Sequence, residues 1–132
     1  MVLMAITSQP PTEPPVFLPR LPNCARILVA EDPFIGCFLR TVLQRHGHQV
    51  VIGEALRASE LLRHGDVAPD LVITNQPDLF LDLAGSVRLL YIAAVPDIDL
   101  ASRFSHCRVL RKPFRNDDLL SVVEDLAHSD IP

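Results

Sequence analysis

Hydrophobic residues cluster into short continuous runs from residue 26 onward, and segments with helical spacing separate these runs. A strand that is covered on both faces needs apolar side chains on both, so continuous runs indicate strands of a buried parallel sheet. The five runs are residues 26–30, 49–52, 71–74, 89–93 and 108–110. Their alternation with helical segments predicts an α/β fold with helices on both faces of one sheet.

Three full helices are predicted between and after these runs. Gly47 and Gly65 each follow a segment with apolar residues at helical spacing, and glycine is suited to ending a helix. Asn116 is placed to cap a last helix. The residues that recur at helical spacing are Ile35, Phe38, Leu39, Val42, His46, Leu56, Leu61, Leu62, Leu119, Leu120, Val123 and Leu126.

Two connections are too short for full helices. Residues 76–87 leave room for a turn or two, and residues 97–104 predict only a short helix. One sheet face is therefore expected to be thinly covered. Leu79, Phe80 and Leu81 then have two outcomes: they fold down onto the sheet as a plug, or they form an apolar surface patch.

The composition indicates one aliphatic domain preceded by a tail. The chain has 132 residues, 48% of them hydrophobic, and residues 1–24 hold six prolines, a density that opposes sheet and helix. We expect a disordered Pro-rich tail over residues 1–24 and a domain over residues 25–128. No segment approaches the length of a membrane span, so no membrane partner is expected.

Charge and cysteine content narrow the partners and the compartment. The formal net charge is −4 and no basic patch is visible, which argues against nucleic acid as a partner. The three cysteines are odd in number and widely spaced, so neither a disulfide framework nor a Cys-x-x-Cys metal site is predicted. The cytoplasm is the expected compartment.

Polar side chains follow three of the predicted strands. Glu31 and Asp32 come after the first, Asn75 after the third, and Lys112, the only lysine, after the fifth. A carboxylate pair can hold a divalent cation and a lysine can neutralise phosphate oxygens, so this set suits a phosphoryl pocket.

In the order of its elements and in these landmarks, the chain from residue 26 to 127 resembles a receiver domain of the response-regulator family. Residues 27–32, 69–75 and 110–114 carry the resemblance. It implies a flavodoxin-like three-layer sandwich with sheet order 2-1-3-4-5 and a shortened or missing third helix. It also implies that the ends of the first, third and fifth strands meet at one edge, and that the Lys112–Pro113 bond is cis.

The resemblance assigns roles to the pocket residues. Glu31 and Asp32 fall on the acidic pair that holds magnesium, and Lys112 on the lysine that contacts the phosphoryl group. Asn75 falls on the aspartate that accepts the phosphoryl group. An amide cannot form the usual acyl phosphate, and two carboxylates with an amide oxygen would bind magnesium weakly at best. No other cofactor is expected.

Two further positions depart from the family. Ala93 replaces the Ser or Thr whose hydroxyl reaches the phosphoryl group, and Val109 replaces the aromatic residue that turns inward on activation. A structural interpretation of the pocket remains open. Glu31 and Asp32 would then serve as caps of a helix opened by Pro33, and Lys112 as their counter-charge.

The sequence therefore predicts a degenerate receiver, or pseudo-receiver, in bacterial-type two-component (phosphorelay) signal transduction. It would act as a phosphorylation-independent protein–protein interaction module and not as an enzyme. The expected partner is a signalling protein such as a histidine kinase or a downstream regulator, or a second copy of the chain. Two alternatives stay open: a receiver phosphorylated at a displaced acceptor such as Asp78, and a small ligand- or nucleotide-binding α/β domain. The second lacks a Gly-rich phosphate loop.

Overall fold

A five-stranded parallel sheet with strand order β2-β1-β3-β4-β5 forms the centre of the molecule. The structure is a computed structural model, and it describes residues 24–128. The predicted α/β fold and strand order are confirmed. The predicted tail lies outside the described residues apart from Cys24, which is buried. The strands are β1 (Arg26–Ala30), β2 (Gln49–Ile52), β3 (Leu71–Thr74), β4 (Arg88–Ala93) and β5 (His106–Arg111).

Helices cover both faces of this sheet. Gly47 and Gly65 follow the first two and adopt positive φ angles of 87° and 74°, which glycine tolerates without strain. The two short connections form a 3₁₀ helix and a four-residue α-helix, as predicted. The helices are α1 (Pro33–Arg45), α2 (Ala55–Arg63), the 3₁₀ helix (Pro77–Leu83), α3 (Ile98–Ala101) and α4 (Asn116–His128).

Alternate residues of β1 enter two separate hydrophobic cores. Ile27 and Val29 pack in a core that also contains residues of α1 and α4. Leu28 and Ala30 pack in a core with residues of α2, the 3₁₀ helix and α3. All four side chains have 0% exposure. Burial on both faces is the reason that the strand sequence is continuously apolar.

The last two strands are longer than predicted. β4 begins at Arg88, and β5 runs from His106 to Arg111. Polar side chains occupy the new strand ends, Arg88, His106 and Arg111, so hydrophobicity alone did not mark the ends of the strands.

The start of α4 also differs from the prediction. Asn116 is the first helical residue and not the cap. The residue before it, Arg115, donates its backbone N–H to the Asp118 carboxylate at 3.3 Å and accepts from the Leu119 N–H through its carbonyl. The first turn of the helix therefore supplies its own capping carboxylate.

Two large apolar residues at predicted helical positions are partly exposed. Phe38 in α1 has 45% exposure and Leu56 in α2 has 51%. The Phe38 ring lies 6.4 Å from the ring of Phe114, between centroids, in a tilted arrangement. The buried stripes of α1 and α2 are therefore narrower than the spacing of apolar residues indicated.

The 3₁₀ helix folds onto the sheet as a plug. Phe80 is fully buried, and Leu79 and Leu81 are partly buried beside it. Arg63 at the end of α2 ties this helix down, because its Nε lies 2.5 Å from the Asp82 carboxylate and its Nη2 donates to the Leu79 carbonyl at 3.0 Å. Of the two predicted outcomes, the plug is the one observed.

We expect Phe80→Ala to lower the free energy of unfolding by about 3–5 kcal/mol. Removal of the buried ring leaves a cavity directly against the sheet. Urea denaturation followed by circular dichroism measures this loss. Leu56→Ala on the neighbouring helix is the control, with an expected cost below about 1 kcal/mol because Leu56 is half exposed. Equal costs for the two variants would contradict the plug.

Candidate functional site

Residues that follow β1, β3 and β5 meet at one edge of the sheet. Ala30 lies opposite Thr74 in the β1–β3 register, so the next residues, Glu31 and Asn75, are neighbours. Both line a pocket of about 300 Å³. Lys112 approaches from β5, and its Nζ lies 4.0 Å from Glu31 Oε2. The structure therefore brings the predicted site residues together.

The pocket has walls from three connections. Besides the two residues above, its lining comprises Asp32, Pro33, Ile52, Gly53, Glu54, Ala55 and Gln76. The predicted alternative acceptor, Asp78, is exposed in the first turn of the 3₁₀ helix and is not one of these residues. The Lys112–Pro113 peptide bond beside the pocket is cis, as the resemblance implied.

Glu31 is a buried carboxylate with few partners. Its side chain has 0% exposure, and its partners are the Lys112 ammonium at 4.0 Å and the backbone N–H of Asp32, which lowers its pKa. Burial raises the pKa of Glu31, the positive charge of Lys112 lowers this pKa, and the negative charge of Asp32 raises it. The Lys112 ammonium is the counter-charge that the structural interpretation predicted, at the outer limit of ion-pair distance.

Asp32 and Glu54 have their carboxylates at helix ends. Asp32 accepts from the N–H groups of Phe34 and Ile35 at 3.0 and 3.2 Å and so caps α1. Glu54 caps α2, with contacts of 3.3 Å from Leu56 and 3.1 Å from Arg57. The predicted capping role therefore holds for Asp32 and not for Glu31.

Glu54 was missed by the sequence reasoning. An acidic residue directly before the helical pattern at residue 55, and just after a strand, was the available signal.

Asn75 presents an unsatisfied oxygen in the same pocket. Its Oδ1 is buried and accepts no hydrogen bond from residues 24–128. The backbone beneath it is fixed, because Thr74 Oγ1 donates to the Ala30 carbonyl at 2.9 Å and accepts from the Gln76 N–H at 3.0 Å. The carboxamide thus sits at a well-held position beside Glu31, with one acceptor atom lacking a donor.

The donor set fits a tightly held divalent cation poorly. Magnesium requires a compact cage of oxygen ligands. Residues 24–128 contain no group of three or more His, Cys, Asp or Glu side chains that could hold a metal ion. Asp32 caps α1 through Oδ1 alone, so the oxygen ligands that face this edge are Asp32 Oδ2, the buried Glu31 carboxylate and the Asn75 amide oxygen, and only two of these groups are charged.

Ala93 and Val109, the two residues that replace the activation residues of the receiver family, lie on β4 and β5. Ala93 ends β4 with a methyl group, and its carbonyl accepts from the Lys112 N–H at 3.0 Å. Val109 pairs across the sheet with Tyr91, and both belong to the same core. The Tyr91 hydroxyl accepts from the Asp97 N–H at 3.0 Å. An aromatic ring therefore stands on β4, next to the strand on which the family carries it.

Comparison with known proteins rests on structure, since no protein-family model and no curated protein matches the sequence. NtrX from Brucella abortus matches with a TM-score of 0.64 and 23% identity, over 79% of this chain and 27% of that chain. A response regulator receiver protein from Sinorhizobium medicae matches with a TM-score of 0.62 and 16% identity, over 78% of this chain and 93% of that chain. The chemotaxis response regulator CheY4 of Vibrio cholerae matches with a TM-score of 0.61 and 17% identity, over 77% of this chain and 98% of that chain.

The chain has a receiver-domain fold. The receiver-like domain spans about a quarter of the NtrX chain and nearly all of the other two. Within the range that the structure covers, no helix is both long and apolar enough to cross a membrane.

We expect Lys112→Met to lower the free energy of unfolding by about 2 kcal/mol at neutral pH, because it leaves the buried Glu31 charge without a counter-charge. Breaking a fully buried pair costs about 3–5 kcal/mol, and we expect less here because Lys112 is 30% exposed. Burial keeps the folded-state pKa of Glu31 above its ordinary value of 4.5. The folded state therefore binds the proton more tightly, and stability falls as pH rises through the folded pKa.

Denaturant titrations near pH 4.5 and about pH 8 test this, since the loss should grow at the higher pH. Arg111→Met, which removes an exposed cation one residue earlier, is the control. The double variant Glu31→Gln/Lys112→Met should recover most of the loss. A Lys112→Met variant as stable as the natural chain at both pH values would show that Lys112 has no structural role.

Proposed function

We propose that this receiver-like domain acts in two-component signal transduction as an interaction module that binds its partner protein without being phosphorylated. The observation that carries the proposal is Asn75, a carboxamide in the pocket where the receiver fold places its phosphate-accepting aspartate. Formation of an acyl phosphate requires a carboxylate oxygen that attacks phosphorus. A neutral amide is a poor nucleophile, so this bond does not form at Asn75.

The substitutions at the switch positions support the same proposal. A phosphorylation signal is transmitted only if two conformations differ in their affinity for a partner. Ala93 offers no hydroxyl to a phosphoryl group, and Val109 offers no ring that could turn inward. The ring on the neighbouring strand, Tyr91, is 6% exposed and is held by its hydrogen bond to the Asp97 backbone. The elements of the switch are therefore absent together.

Exposed apolar side chains at and just before the start of α3 suit a contact with another protein. Val95 has 87% exposure and Ile98 has 55%. They lie near the surface formed by α3, β5 and α4, which receiver domains commonly use for pairing. We infer a signalling protein such as a histidine kinase or a downstream regulator as the partner, in the cytoplasm, where Cys24, Cys37 and Cys107 remain free thiols. A second copy of the chain is the alternative partner at this surface.

The nucleotide-binding alternative receives little support from the pocket. Glu31, Asp32 and Glu54 contribute three carboxylates, and no Lys or Arg lines the cavity in the part of the chain that the structure describes. Phosphate groups would meet negative charge there, whereas nucleotide sites place backbone N–H groups or cations around phosphate.

The direct test is intact mass after incubation with magnesium and acetyl phosphate. We expect no phosphoryl addition to the natural chain. Asn75→Asp restores the acceptor beside Glu31, Asp32 and Lys112, and we expect this variant to gain one phosphoryl group.

A phosphoryl group added to the natural chain would overturn the proposal. Peptide mapping would then test Asp78 first, with Asp78→Asn as the matched variant. If neither the natural chain nor Asn75→Asp reacts, phosphorylation is absent for more reasons than the missing carboxylate, and the interaction function stands.

A further inference from the structure

A row of exposed side chains follows the outer side of α1. Phe34, Phe38, Thr41 and Arg45 recur at intervals of four, three and four residues, and all four are exposed. Residues three or four apart share one face of a helix, so these side chains form a continuous row, which we call the α1 stripe. Alternating spacings of three and four are the pattern with which one helix packs against another.

The first half of the α1 stripe is aromatic and open to solvent. Phe34 is 83% exposed and Phe38 is 45% exposed. The Phe114 ring lies 6.4 Å from the Phe38 ring, between centroids, and extends the apolar surface toward the start of α4. Single exposed apolar side chains are ordinary, whereas a contiguous patch marks a surface that another molecule covers.

The second half of the α1 stripe is polar, but it suits a contact. The Thr41 hydroxyl donates to the Cys37 carbonyl at 2.9 Å, so covering Thr41 would not leave its hydroxyl hydrogen without an acceptor. Arg45 is exposed in the last turn of the helix. Its long aliphatic stem can cover an aromatic ring while the guanidinium stays in water.

We propose that the α1 stripe binds a second copy of this chain, with the two α1 helices packed antiparallel about a two-fold axis. When Phe38 lies opposite Thr41 of the second copy, the spacing places Phe34 opposite Arg45 of the second copy. The two-fold axis repeats both contacts, so the stripe is complementary to itself. An arginine above an aromatic ring gains a cation–π contact, and this contact forms twice.

Charge also favours the antiparallel arrangement. Asp32 is exposed just before the first turn of α1, and Arg45 is exposed in the last turn. Antiparallel packing brings each acid near the arginine of the other copy, and the dipoles of the two helices then attract each other. Parallel packing would instead place arginine beside arginine and acid beside acid. The stripe therefore supplies both halves of its own contact.

The contact is expected to be weak. With 13 residues, α1 is about 20 Å long. A stripe of this length buries less than the roughly 800 Å² per partner that a stable complex uses. We therefore expect a dimer that exchanges with the monomer and whose population rises with protein concentration.

The inference goes beyond the proposed function, because it assigns the second copy to α1 and not to the surface of α3, β5 and α4. It does not depend on the chemistry of Asn75. A natural chain that gains phosphate in the mass experiment would overturn the proposed function and leave the pairing of α1 to be tested by itself.

The test is sedimentation velocity of the full chain over a range of concentrations, with a reductant present so that no disulfide forms through Cys37. We expect the sedimentation coefficient of the natural chain to rise with concentration. Phe34→Arg should raise the dissociation constant of the dimer about tenfold or more, because it replaces an apolar contact with repulsion from Arg45 of the second copy. Val95→Arg, a matched change at a side chain of 87% exposure just before α3, should leave the constant unchanged.

A pair of charge changes tests the antiparallel register. Arg45→Glu should weaken the dimer, because it removes the cation–π contact and brings a negative charge near Asp32 of the second copy. In the double variant Phe34→Arg/Arg45→Glu, each new arginine faces a new glutamate across the interface. The two positions are about 16 Å apart along one helix, too far to pair within a chain. The double variant should therefore dimerise more strongly than either single variant, a gain that a misfolded chain could not produce.

Three results would overturn the proposal. The first is a monomer at every concentration. The second is a dimer that Val95→Arg dissociates and Phe34→Arg does not, since this would move the contact to the surface around α3. The third is a double variant that dimerises no better than the single variants, which would exclude the antiparallel pairing.

Discussion

The central strands of the sheet must be covered on two faces, and other features of this molecule follow from that constraint. β1 and β3 bury all of their apolar side chains, so each face needs its own layer of side chains. On one face α1 and α4 provide a full layer. On the other the connection after β3 is too short for a full helix, and a 3₁₀ turn brings Phe80 onto the sheet instead. An ion pair between Arg63 and Asp82 joins this segment to the end of α2.

The same burial shapes the chemistry at the edge of the sheet. Glu31 continues directly from a fully buried strand, so its carboxylate is drawn out of water and its pKa rises. Neighbouring acids are placed differently, because Asp32 and Glu54 turn toward helix N-termini and gain hydrogen bonds there. The acidic residues at this edge are therefore used in two ways: Asp32 and Glu54 cap helices, and Glu31 is buried beside the Lys112 ammonium.

The sequence predicts the strongly apolar elements well and the polar ones poorly. The first three strands agree with the prediction at both ends, because each apolar run is followed directly by a polar residue or by glycine. The ends of β5 are polar because it is an edge strand, and no hydrophobic signal marks them. Within the site, the order of the strands was enough to place Glu31, Asn75 and Lys112 together. The sequence does not predict the direction of a side chain. It therefore did not predict that Asp32 caps α1 while Glu31 is buried, or that the Tyr91 hydroxyl accepts a hydrogen bond from Asp97.

The hydrogen bond from the Asp97 backbone to Tyr91 has a consequence for control. A ring that is packed in the core and bonded through its hydroxyl favours one orientation, and this favours one arrangement of the surface around α3 and β5. A binder with a single shape cannot be turned on by shifting a population between states. The fraction of partner that it occupies then depends on mass action alone. Under the proposed function, control of such a protein would pass from its own chemistry to its synthesis, its degradation and the competitors present for the same surface.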